Sequence, residues 1–431
     1  MTALASPAGI GLGMTVGFDL AGESVRALAL PGGWLTALGR MTGMIGTYAL
    51  LLSVLIVGRL PVLERVIGQD RLVRWHRLLA PWSLVLLVVH AVLITLGYAQ
   101  AAHDGALHET WVVVTSMIGM LGATVGLALL VAAAVTSVRI ARSRMKYETW
   151  WVVHLYSYLA LALSWSHQLA TGAPFADHPF ARSFWIATWL ATAGVVLAYR
   201  VLLPIWRSLR HNVRVVAVRE EGPGIVSIIC EGRGLDRMPV SGGQFLQWRF
   251  LKPGLWWQAH PYSLSAVPSD RFMRVTVKDL GDHSRGLHSI AVGTRIAIEG
   301  PYGAFTKDAM VTPHALLVGA GVGSTPLRAL LEDLPSSAHA VVMLRASTDD
   351  ELVLADEIEA LVNARGGHLY RLVGNRAQWP LDARQLAKLV PDIRSRDVFV
   401  CGPEGFMESL LDAAQRLSVP MRQLHHEDYA F

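Results

Sequence analysis

The chain has 431 residues, 52% of them hydrophobic and only 16% charged, with a formal net charge of +5. The charge-poor runs lie almost entirely before residue 207, which points to a membrane-embedded first half and a soluble second half. Many basic residues flank apolar runs, so the positive balance is no nucleic-acid signal. The two cysteines, Cys230 and Cys401, exclude a disulfide framework and an iron–sulfur cluster, which needs four ligands.

Residues 1–33 are small, Gly-rich and mildly apolar, with Asp19 and Glu23 among them, so a first helix is expected to be weak or absent. No basic start precedes a compact apolar core, and a cleaved signal is not expected. Strong spans follow at about 34–58, 75–98, 111–136, 149–170 and 184–206, giving five helices in a membrane domain over 34–207.

The second and fourth spans each carry two histidines, His76 and His90, then His154 and His167. Ionisable side chains in such runs are expensive and usually functional. Fourteen residues separate the first two, a rise of about 21 Å, and their rings leave nearly the same face. Thirteen separate the second two, a step that turns the ring by about 220° on an ideal helix, so a local change of winding or offset sites are expected. Four imidazoles in two layers fit two stacked haems, each clamped by one histidine from each helix. No Cys-x-x-Cys-His occurs, so the haems would be non-covalent, of the b type.

The loops carrying Arg59, Arg65, Arg71 and Arg74, and Arg139, Arg142, Arg144 and Lys146, orient the spans. The positive-inside rule puts them and the C-terminal half in the cytosol. His76 and His154 then form an inner pair, and His90 and His167 an outer one. Arg40 and Arg200 need counter-ions, either haem propionates or the interface reached by snorkelling. On the outer loops His103, His108 and His178 either recruit a metal or are simply solvated.

From 208 to 309 short β-rich runs at Val213–Val218, Ile225–Cys230, Gln244–Phe250, Arg274–Lys278 and Arg295–Glu299 suggest a small antiparallel barrel. His260-Pro261-Tyr262-Ser263 lies inside it. Val277-Lys278 follows, and then Ser284, read as the N-cap of a short helix whose free amides would seat a diphosphate. Gly300-Pro301-Tyr302-Gly303 is expected to close the barrel as a turn.

From 310 to 431 strands alternate with helices, a doubly wound α/β pattern. The first strand runs into Gly319, Gly321 and Gly323, then Thr325, where glycines let the backbone approach a pyrophosphate. A second strand ends at Arg345, placed to pair with a ribose 2′-phosphate, with Arg376 a further candidate. A later one ends at Cys401-Gly402-Pro403, at the carboxyl edge where nucleotides bind. The C-terminal stretch holds Glu427 and ends on Phe431, an aromatic suited to cover a flavin face.

Together these motifs resemble the ferric reductase and NADPH oxidase superfamily, bacterial single-chain members above all, from about residue 34 onward. The resemblance implies that His76, His90, His154 and His167 ligate two haems. It implies that His260 to Ser263 hold FAD, with Ser263 near the flavin N5, and that Val277, Lys278 and Ser284 touch adenine and diphosphate. Gly321, Gly323, Thr325, Gly402 and Pro403 would bind NADPH, with Cys401 beside the nicotinamide. Glu427 and Phe431 match a pair that shields the flavin.

The implied activity carries electrons from cytosolic NADPH through FAD and both haems to an acceptor outside the cell membrane, a ferric or cupric chelate or oxygen. Two departures stand out. The family's first helix is weak here, and Ile94 occupies the place of an additional histidine found in superoxide-producing members. A soluble-type flavin reductase serving a partner, and a transporter with a nucleotide-sensing domain, are the other readings.

Overall fold

The computed structural model describes residues 2–22, 24–145, 147–172, 175 and 178–427. Glu23, Lys146 and Phe431, singled out above, lie outside this set. The chain divides into two compact units, one of residues 1–60 and 71–200, the other of residues 61–70 and 201–431.

The first unit is helical. Helix α1 (Thr2–Gly22) forms where the sequence left a helix weak or absent. Its glycines and Pro7 lower helix propensity, and packing supplies what propensity lacks. Tyr48 of α2 (Gly33–Ile56) donates to the Ala8 carbonyl at 2.9 Å, and Phe18 meets Phe180 and Phe184 edge-on or tilted at 5.7 and 5.6 Å. Helix α3 (Gln69–Ala102) carries His76 and His90.

The span expected at 111–136 is two helices, α4 (Ala106–Ser116) and α5 (Met120–Ser137). They break at Gly119, which sits at φ +80°, and a Cβ there would lie 2.7 Å from the His167 amide nitrogen. A turn that is both left-handed and this close to a neighbouring backbone requires glycine. Helix α6 (Tyr147–Thr171) carries His154 and His167 and is one unbroken α-helix, so no local change of winding absorbs its thirteen-residue step. Helix α7 (Pro179–Val196) follows.

Small residues form the helix seams. Gly39, Gly43 and Gly46 of α2 lie against Ile94, His90 and Leu86 of α3, and Gly122 and Gly126 of α5 against the Leu163 and Ala160 carbonyls of α6. In an apolar medium such contacts take the place of a hydrophobic driving force between helices. Among the described residues four helical stretches are long and apolar enough to cross a membrane: Gly33–Ile56, Arg71–Ala102, Met120–Ser137 and Pro179–His211. In α6 the serines, histidines and Gln168 lower the hydropathy.

In the second unit helix α8 (Leu203–His211) leads into two three-stranded antiparallel sheets. One has the order β1 (Arg214–Gly222), β2 (Ile225–Glu231), β5 (Phe272–Lys278); the other β4 (His260–Ser263), β3 (Phe245–Phe250), β6 (Ile296–Tyr302). Bridges at Arg214–Arg295 and Leu264–Val275 join them around one core that includes Val226, Ile228, Trp248, Phe250 and Ile298. Gly300 to Tyr302 belong to β6, paired through a bulge opposite Phe245–Gln247, and are not the expected closing turn. A bulge accommodates the missing Pro301 N–H.

A five-stranded parallel sheet follows, in the order β11 (Leu424–His426), β10 (Arg396–Cys401), β7 (His314–Ala320), β8 (Val341–Ala346), β9 (His368–Val373). Chain order runs outward from β7 in both directions, so the topological switch point lies between β7 and β10. The two halves of this unit are tied together by charge. Arg274 of β5 donates two 2.7 Å bonds to Glu357 of α11 (Ala355–Ala364), which also accepts from Arg328 of α10 (Ser324–Asp333), counting the short helix Asp282–Leu287 as α9.

Candidate functional site

In the membrane unit the four histidines form two pairs across α3 and α6. The His76 and His154 ring centres are 6.1 Å apart. His90 and His167 are near enough for a charge on one to act on the other.

The Nδ1 atoms are held differently. His76 Nδ1 is 2.8 Å from Ser53 Oγ and 3.3 Å from Ser53 O, and His90 Nδ1 is 2.7 Å from Gly39 O. His154 Nδ1 is 3.5 Å from Ser137 Oγ, with its ring stacked on Trp150. His167 Nδ1 is buried, with the Ser164 backbone one turn back as its polar neighbour. A carbonyl only accepts, so it fixes the proton on Nδ1 and leaves Nε2 as the ligating nitrogen.

This donor set fits a metal held between paired rings. Two nitrogens each about 2 Å from one ion put ring centres about 6 Å apart. Ser53, Ser137 and Gly43, which support those rings, escaped the sequence reading. The Gly39-x3-Gly43-x2-Gly46 spacing was the available signal.

Arg40, assigned above to a propionate or the interface, has a protein carboxylate nearby: its Nε is 3.9 Å from the buried Asp19 Oδ1. Beyond α3, His108 in the first turn of α4 bonds Asp104 of the preceding loop. Among the described residues no group of three or more His, Cys, Asp or Glu could hold a metal.

In the barrel, β4 pairs with β3 so that Ser263 stands opposite Phe245 and His260 opposite Trp248. Trp248 Nε1 donates to the Tyr262 carbonyl at 3.0 Å. His260 stacks on His283 with ring centres 3.6 Å apart, and Tyr262 Oη is 3.0 Å from His283 Nδ1. Burial, with the His260 charge second, lowers the His283 pKa to about 3, and burial pushes the Tyr262 phenol up. His283 was not among the expected contacts.

Val277 is buried in the barrel core, so it can offer a cofactor only its main chain, while Lys278 is half-buried at the end of β5. Ser284 is not an N-cap. The helix Asp282–Leu287 is capped by Gly281, and the Ser284 hydroxyl accepts from Leu280 N at 2.8 Å and donates to Gly281 O at 3.0 Å. The Asp-His pair ahead of Ser284 takes the first turn. Glu427 is buried and reaches back to Gly303, where any Cβ would strike its carboxylate. Gly303 also borders Phe245, the strand partner of Ser263. Glu427 is thereby brought to the strand ends that carry Ser263.

At the switch point β7 runs into the turn Gly321–Gly323 and then α10. Gly319 is in register with Cys401, and Ala320 with Arg345. A Cβ on Gly323 would collide with the Cys401 carbonyl, so the two turns abut along the carboxyl edge. Thr325 Oγ1 donates to Val322 O at 2.8 Å, fixing the first helical turn. Arg345 bonds the Ala346 carbonyl and the Leu372 carbonyl, the latter at 3.0 Å. Gly402 packs on Phe406 and Ala320, and Pro403 caps α13 (Glu404–Arg416), counting Ala383–Leu389 as α12.

A helical membrane unit followed by a flavin barrel and a doubly wound nucleotide sheet defines a membrane-bound flavoprotein oxidoreductase. Residues 42–165 match the model of the ferric reductase like transmembrane component, a stretch that holds His76, His90 and His154; residues 212–306 match an FAD-binding domain. The chain is 28% identical over 241 residues to an NADPH oxidoreductase of Mycobacterium tuberculosis (strain ATCC 25618 / H37Rv), covering 53% of this chain and 62% of that one. It is 28% identical over 169 residues to a putative respiratory burst oxidase homolog protein G of Arabidopsis thaliana, covering 34% of this chain and 19% of that one. The flavohem-like FAD/NAD-binding domain of nitric oxide dioxygenase from Vibrio cholerae superposes with a TM-score of 0.44 at 25% identity, covering 51% of this chain and 98% of that one. The chain thus joins a stretch that matches the ferric reductase like transmembrane component to one that matches an FAD-binding domain.

Proposed function

We propose that the protein carries electrons from cytosolic NADPH through FAD and two b-type haems to an acceptor on the outer face of the cell membrane. Ferric or cupric chelates and oxygen are the acceptor classes. The observation that carries this reading is the cross-helix pairing of His76 with His154 at 6.1 Å, beside the second pair His90 and His167.

Bound FAD would accept a hydride and release electrons singly, and bound haems would relay them one at a time. His76 and His154 would hold the inner haem, and His90 and His167 the outer. Held by two imidazoles each, the haems would supply electron relay and no substrate site.

In the reductase unit the chain's work is to seat and order the two nucleotides. Ser263 and Glu427 would lie at the flavin's reactive edge, and Phe431 would cover its face. His260, Pro261 and Tyr262 line that seat. The main chain at Val277 and Lys278 and the turn around Ser284 would take the rest of FAD. The turns at Gly319, Gly321 and Gly323, with Thr325, Cys401, Gly402 and Pro403, would admit NADPH so that its nicotinamide meets Cys401. Arg345 would select the 2′-phosphate.

Moving an electron outward across an inside-negative membrane is favourable by about 2.3 kcal/mol per 100 mV. Pyridine haemochrome analysis of the purified chain tests the reading. Two haems per chain, reduced on adding NADPH, support it; a chain with flavin but no haem overturns it.

A further inference from the structure

The strand that delivers Glu427 to Gly303 has little ladder to hold it. β11 is three residues long and lies at the sheet edge, pairing Leu424, His425 and His426 with Val398, Phe399 and Val400. A short edge strand near a chain end frays unless side chains tie it down.

Two side chains supply the tie. Gln423 Nε2 donates to the Arg394 and Arg396 carbonyls at 3.1 and 3.0 Å. His425 Nε2 lies 2.7 Å from Asp397 Oδ1, and its ring stacks on Phe399 with centres 4.4 Å apart. A carboxylate accepts, so Nε2 carries the proton.

Asp397 is fully buried, yet both of its oxygens have donors. Oδ2 accepts from the Val311 and Thr312 amides at 3.0 and 2.7 Å and from the Thr312 hydroxyl at 2.6 Å. A buried carboxylate is costly alone, and one satisfied on both oxygens becomes a fixed joint. This joint links three segments: the link that leads from the barrel into β7, strand β10, and β11. The path closes on the barrel again where Glu427, two residues beyond His425, meets Gly303. Asp397 itself stands four residues before Cys401, about 13 Å along the strand. Any effect it has on the site passes through another group.

Resting on the reading that Glu427 lies at the flavin's reactive edge, we infer that Asp397 and His425 are positioning residues for the flavin seat. Their bond fixes β11 and so sets where the Glu427 carboxylate stands. Neither residue touches a cofactor.

Hydrogen–deuterium exchange and stopped-flow reduction of the flavin by NADPH, both on the full-length protein in detergent, test this. H425F keeps an aromatic ring on Phe399 and loses the bond; H425A is the second bondless variant should H425F not fold. H425Q keeps a donor for Asp397. In H425F the amides of residues 424–427 should exchange about ten-fold faster, with those of β7 unchanged. Hydride transfer should slow, up to the order of 10²-fold that a 1 Å displacement can cost, and H425Q should restore most of it. E427A should slow the same step, and adding H425F to E427A should slow it little further, because both act through one carboxylate. Equal slowing by H425F with and without Glu427 overturns the inference, since a general structural role predicts it. Unchanged exchange in H425F, or unchanged hydride transfer in E427A, overturns it too. A wild-type flavin that NADPH does not reduce would instead sink the function proposed above, and the exchange measurement would still decide whether the bond holds β11.

Discussion

In the membrane unit the candidate ligands are side chains in mid-helix, steadied from behind by neighbouring helices: Ser53 and Gly39 of α2 behind α3, Ser137 and Gly119 beside α6. In the reductase unit the candidate cofactor contacts are mostly main chain, at strand ends where Gly321–Gly323 meets Cys401 and where Gly303 meets Glu427. The first kind of site needs particular donor atoms at particular depths. The second needs space: a Cβ on Gly323 would strike the Cys401 carbonyl, and one on Gly303 the Glu427 carboxylate. The two sites should consequently fail differently. A defect behind an imidazole weakens one ligand by degrees, while a side chain added at a turn displaces a whole strand end.

The largest effect should come from G323V, whose side chain collides with the Cys401 carbonyl. A displacement of about 1 Å at a reacting centre can cost on the order of 10²-fold in rate. NADPH oxidation with ferricyanide as acceptor should fall by that order while flavin content, measured by absorbance, stays near one per chain. Flavin loss parallel to activity would erase the distinction between the two halves of the reductase unit. G43A is the membrane counterpart. Its Cβ pushes on His90 Nδ1, and damage to such a supporting contact typically costs 10–100-fold in metal affinity. Haem retention through a desalting column should drop for one haem of two, with NADPH-to-ferricyanide activity intact.

The two units also differed in how far their sequence could be read. Ligand spacing on an apolar run is visible because a histidine there has few bland explanations, and the strands of barrel and sheet stand out as short apolar runs between Gly and Pro turns. What could not be read was whatever depends on a second element arriving. The support of His76 by Ser53 spans 23 residues and that of His90 by Gly39 spans 51. Ser284 fits an N-cap in isolation, yet Gly281 takes that role, leaving the serine hydroxyl inside the turn. Gly300 to Tyr302 carry turn residues but lie in β6 because a bulge opposite Phe245 absorbs the proline. Helix α1 was obscured by glycines whose cost is met by packing on α2 and α7.

The barrel holds one side-chain device that resembles the membrane site more than its own neighbours: the stack of His260 on His283, with Tyr262 bonded to His283. It is expected to report on pH. The folded His283 has a pKa of about 3 against about 6.5 when unfolded. The neutral ring's contribution to stability is full above the unfolded value and is lost as pH falls from there toward the folded one. The slope cannot exceed about 1.4 kcal/mol per pH unit and is smaller here, because water screens the half-buried ring. Thermal release of flavin, followed by its fluorescence, should therefore shift to lower temperature between pH 7 and pH 5 in the wild type. The shift should be smaller in H283F. An identical slope in both would remove His283 as the titrating group.

The smallest effect concerns how the two halves of the reductase unit are held together rather than either site. Arg274 of the barrel and Arg328 of the nucleotide sheet share Glu357, whose carboxylate is about one-third exposed. The Arg274 hydrogen bonds, opposed by desolvation, hold its pKa below the usual carboxylate range. A depressed carboxylate stabilises the fold above its unfolded pKa, about 4.3, and that stability is lost as pH falls through the folded value. The window thus lies at and below about pH 4, beneath most of the range in which His283 acts. E357Q should cost about 1 kcal/mol at neutral pH, because water screens the partly exposed pair and the amide still accepts one bond. Flavin fluorescence during guanidinium titration at pH 7 and pH 4 measures both. The wild type and E357Q should draw closer at the lower pH, where the carboxylate advantage begins to fade. A difference that persists undiminished there would mean that Glu357 acts through packing and that charge contributes little to the joint.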